Sequence, residues 1–77
     1  MSPNRERFVR LAEPRVNKAV NELRLVGNLF NRHNYDFTEE EGRTIINALK
    51  ASVSAVESRF RDATRSQFAE FKLRRED

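Results

Sequence analysis

Apolar residues in the first part of the chain step alternately by three and four: Val9, Ala12, Val16, Ala19, Leu23, Val26 and Phe30. That spacing keeps them on one face of a helix. Ser2 followed by Pro3 predicts the start, because a serine oxygen can cap the first free N–H groups and proline loses nothing at the first helical position. A second stripe runs Ile46, Leu49, Val53, Val56, Phe60 and Ala63, then slips by one residue to Thr64, Phe68 and Phe71. Its start is marked by Thr38-Glu39-Glu40-Glu41, a capping box in which Thr38 and Glu41 satisfy each other's backbone N–H groups. The pattern therefore predicts a helix over about 3–30, a turn over about 31–38 and a helix over about 39–74.

Pro14 falls inside the first stripe without disturbing its phase. A proline removes one hydrogen bond and crowds the preceding turn, so a kink is predicted there, with a break into two helices near Glu13 as the alternative. Four pairs, Glu6 with Arg10, Glu39 with Arg43, Glu57 with Arg61 and Glu70 with Arg74, place a carboxylate one turn before a guanidinium and add support for helix at both ends of each segment. Gly27 and Gly42 flank the turn, which predicts close approach of the helices on either side of it.

Two long helices and a short turn predict an all-α, antiparallel two-helix hairpin. The chain has 77 residues and no cysteine, so a lone hairpin buries little and has no disulfide to compensate. A homodimeric four-helix bundle is the natural completion. With the turn as the midpoint, Pro3 faces about Ser66, and Phe68 and Phe71 overhang the open end.

Charge adds a second layer. The formal net charge is +3, and twelve of the fifteen basic residues are arginine. In the hairpin register Arg10, Arg61 and Arg65 gather at the open end beside Phe68 and Phe71, a combination of charge and apolar surface suited to a docking partner. Nucleic acid could be held at the same basic end. The alternative docking surface is the turn, through Asn28, Asn31, Arg32 and Tyr35. There is one histidine, His33, and one tyrosine, and no glycine-rich phosphate loop, so no catalytic, metal or cofactor site is expected. No stretch approaches the roughly 18 apolar residues of a membrane span, which leads to the expectation of a cytoplasmic protein with no membrane partner.

Three stretches carry a resemblance: Arg7 to Glu13, Arg15 to Ala19, and above all the Gly27-Asn28-Leu29, Asn31-Arg32, Asn34-Tyr35 and Thr38-Glu39 series. Over about residues 6 to 63 the chain resembles a family of small all-α proteins encoded on bacterial plasmids, conjugative elements and phages. Pro14 departs from that pattern, where a charged residue is the usual choice. So does Phe30, where a small polar residue is commoner. No activity comes with the family. The resemblance implies a mobile-element context, in which a small protein without an active site acts by docking on a host protein or ribonucleoprotein complex, for instance as an anti-CRISPR-like inhibitor of host defence. Three roles follow as expectations: a non-enzymatic protein-interaction module first, a basic nucleic-acid-binding or regulatory protein second, and a structural assembly protein third.

Overall fold

In the computed structural model, residues 2–76 are described, and side chains are described through residue 65. Two helices account for most of them, α1 over Pro3–Gly27 and α2 over Glu39–Glu76, and no strand occurs among the described residues. The chain divides into two compact units, Met1–Phe37 and Thr38–Asp77.

α1 begins as its sequence predicts. The Arg5 N–H donates to the Ser2 hydroxyl oxygen at 3.1 Å, and the Glu6 N–H donates to the Ser2 carbonyl at 3.0 Å. Pro3 occupies the first turn. The helix then continues through Pro14 without interruption, so the predicted alternative of a break near Glu13 is not realised. Continuity is possible because the residues on both sides keep helical hydrogen bonding, while Pro14 itself forgoes one bond.

α1 ends at Gly27, three residues short of the predicted boundary. Asn28 caps it, its N–H donating to the Arg24 carbonyl at 3.1 Å, and the Leu29 and Phe30 N–H groups reach back only three residues, to Val26 and Gly27. These short-range bonds tighten the chain out of the α-helix. Phe30 thus leaves the stripe that its spacing suggested. A Cβ at Gly27 would meet open space. Its role is at the helix end, where low helix propensity favours termination.

The capping box opens α2. The Thr38 N–H donates to Glu41 Oε1 at 2.9 Å, and the Glu41 N–H donates back to Thr38 Oγ1 at 3.0 Å. Arg43 and Glu39 form an exposed ion pair at 2.6 Å. It is the one ion pair among the described residues, so the predicted partnerships of Glu6 with Arg10 and Glu57 with Arg61 are not closed. The cost of ordering two long exposed side chains cancels most of the gain from such pairs, which accounts for their absence. The Glu70 and Arg74 side chains lie outside those described. Where the α2 stripe changes phase, the Thr64 hydroxyl donates to the carbonyls of Phe60 and Arg61, satisfying itself on its own helix.

Replacing Thr38 by alanine removes the forward half of the box. A loss of about 0.5 to 2 kcal/mol is expected, read as a lower melting midpoint. An unchanged midpoint would mean that Glu41 and Thr38 contribute nothing to the start of α2.

Candidate functional site

No described residue is buried. The stripes are therefore surfaces and not a core. On α1, Val9, Val16 and Leu23 are exposed, while Ala12 and Val26 are half-covered by their own helix. On the α2 stripe Leu49 is half-buried and Ile46 is 41% exposed, but Val53, Val56 and Phe60 keep 59%, 66% and 69% of their surface in contact with solvent. Leaving large apolar side chains in water forfeits the main favourable contribution to folding.

The predicted docking arginines sit elsewhere on the helices. At about 100° of rotation per residue, Arg10 lies nearly opposite the α1 stripe, and Arg61 and Arg65 lie about 100° and 140° from the α2 stripe. All three are exposed, and none is in an ion pair among the described residues. A partner reaching them would approach the outer faces. Phe68 and Phe71, the predicted aromatic anchors, lie outside the described side chains.

The alternative surface, the turn, is a small organised body. The Asn31 side-chain oxygen accepts the His33 N–H at 3.0 Å, and the Asn31 carbonyl accepts from Asn34 at 3.0 Å and Tyr35 at 2.9 Å. Asparagine is suited to this because its side chain can stand in for a backbone acceptor two residues away. The Arg32 guanidinium donates to the Phe37 carbonyl at 3.0 Å and lies 4.2 Å from the centre of the Phe37 ring. Phe30 meets the same ring edge-on, with centroids 5.3 Å apart. Cation–π and aromatic contacts thus close the turn on itself.

These contacts divide the four predicted turn residues by role. The Asn31 side chain is occupied within the turn and Arg32 by Phe37, while Asn28 gives its backbone N–H to the end of α1 and is exposed. Tyr35 remains 48% exposed, at the edge of a shallow concavity of ≈ 460 Å³ that Arg32, His33, Asn34 and Asp36 also line. The Phe37 interactions escaped the sequence reading. Their signal was an arginine five residues before an aromatic in a segment too short for a helix.

Among the described residues no group of three or more His, Asp or Glu side chains is arranged to hold a metal ion. Nor is any helix long and apolar enough to cross a membrane. No family model, curated protein or solved structure matches the chain. The functional argument therefore rests on the exposed stripes, the turn and the distribution of charge.

Proposed function

We propose that the protein is a non-enzymatic helical interaction module that completes its fold by self-association. The observation that carries this reading is the exposure of most of both apolar stripes, with no buried residue among those described. In the proposed assembly, α1 and α2 pair as an antiparallel hairpin, and two hairpins join their stripes in a four-helix bundle. A slight bend at Pro14 would curve α1 around that core. The helix lengths suit the arrangement, since 25 residues of α1 span about 37 Å and offer more than three heptads to a partner.

Light scattering tests it. The expected mass is twice the 9.1 kDa of one chain at micromolar concentration. A folded monomer would overturn self-association and assign the stripes to a foreign protein, the docking role that a mobile-element context implies.

A further inference from the structure

The first stripe has an apolar extension on α1. Phe8 lies about 50° and Leu11 about 110° around the helix from the mean direction of Val9, Ala12, Val16, Ala19, Leu23 and Val26, so Phe8 stands at the edge of the stripe, in line with Val26, and Leu11 lies beyond it. Phe8 is 63% exposed, and Leu11 is half-buried in a shallow groove of ≈ 340 Å³ lined by Asn4, Arg7, Phe8, Leu11, Ala12 and Arg15. Arg7 and Arg15 stand one turn before and one turn after Leu11, about 12 Å apart along the axis. Neither has an acidic residue three or four positions away, and neither is in an ion pair among the described residues. The Arg5 guanidinium lies 5.8 Å from the centre of the Phe8 ring. On this side of α1 the nearest acid is Glu22, beyond Lys18.

Charge concentrates in the same unit. Residues 1–37 hold seven Arg/Lys against four Asp/Glu, whereas residues 38–77 hold eight against eight, so the whole net charge of +3 belongs to the unit that carries the groove.

From this we infer that the N-terminal half of α1 binds single-stranded nucleic acid, with Phe8 as a stacking platform for a base and Arg7 and Arg15 holding phosphates on either side of Leu11. The groove offers an exposed ring, an apolar floor and unpaired guanidiniums at a fixed spacing. A single strand supplies the complement, planar apolar bases joined by regularly spaced anions. A duplex hides its base faces, and an acidic peptide has no planar ring at each charge. The surface is distinct from the predicted open end, because it needs no residue of α2. Arg7 and Leu11 lie off the stripe, while Phe8 stands at its edge.

Fluorescence anisotropy with a labelled oligothymidylate of about twelve nucleotides tests the inference at low salt. Binding is expected, with affinity falling steeply as salt rises. Reversing Arg7 and Arg15 to Glu should abolish it, and replacing both by Gln should reduce the log–log salt slope by about 1.4. Phe8→Leu keeps the apolar bulk and should weaken binding roughly tenfold or more, whereas Phe8→Tyr should retain it. Circular dichroism of each variant verifies that α1 is intact, and light scattering reports separately on self-association. The inference is overturned if the strand does not bind, if duplex or polyglutamate competes as well as unlabelled strand, or if Phe8→Leu binds like the parent.

Discussion

Diluting the protein from about 100 µM to about 1 µM should lower its thermal midpoint by roughly 5 to 10 °C. Among the described residues, α1 and α2 have no buried side chain on which to fold alone. Isolated helices in water are marginal, because nucleation is costly and each further bond gains little. In the proposed dimer, association supplies the missing burial, so folding and dimerisation would be one equilibrium governed by protein concentration. A hundredfold dilution then changes the apparent stability by about 2.7 kcal/mol, which is RT ln 100. The helical circular-dichroism signal at a fixed warm temperature should fall in parallel. A midpoint independent of concentration would show that one chain folds by itself, and the self-association reading would fail.

The second large effect is expected from a single carboxylate placed on a stripe. Val53→Asp should abolish the dimer at micromolar concentration and with it most of the helical signal. In the single chain Val53 is already 59% exposed, so a polar residue there would seem harmless. In the bundle the same position is enclosed, and each dimer would bury two unpaired carboxylates, at a cost of several kcal/mol that a chain of this size cannot absorb. Ser58 supplies the control. It lies about 160° from the α2 stripe, is exposed, and Ser58→Asp should change stability by about 0.5 kcal/mol or less. Equal behaviour of the two variants would mean that the stripe is not an interface.

The starts of both helices could be read from the sequence because their causes are local. Ser2 with Pro3, and Thr38 with Glu41, act over three residues, and the structure contains the corresponding hydrogen bonds. The end of α1 was read three residues late, since Phe30 satisfies the heptad spacing by number. Its ring instead meets Phe37, seven residues further on, and that contact depends on the path of the turn and not on any period. Favourable spacing of Glu6 with Arg10 suggested an ion pair that is not formed, because exposed pairs gain too little to order their side chains. Phe8 and Leu11 went unnoticed for a different reason. Leu11 is out of phase with the stripe and Phe8 stands at its edge, one residue before Val9, and a search for regularity discards such residues. Two apolar positions between arginines that have no acidic neighbour were the available signal.

Pro14 has one further consequence. Within the unbroken α1, the Arg10 carbonyl faces a ring nitrogen that cannot donate, so the ladder of backbone bonds lacks a rung one turn above the groove's far end. The first part of the helix is thereby hinged to the rest by fewer bonds than its length suggests. Fraying that begins at Pro3 can run to this point and stop, leaving Arg15–Gly27 helical. Amide exchange along α1 would then divide into a quick segment before the proline and a slow one after it. A helix continuous in its hydrogen bonding would then open as two cooperative lengths.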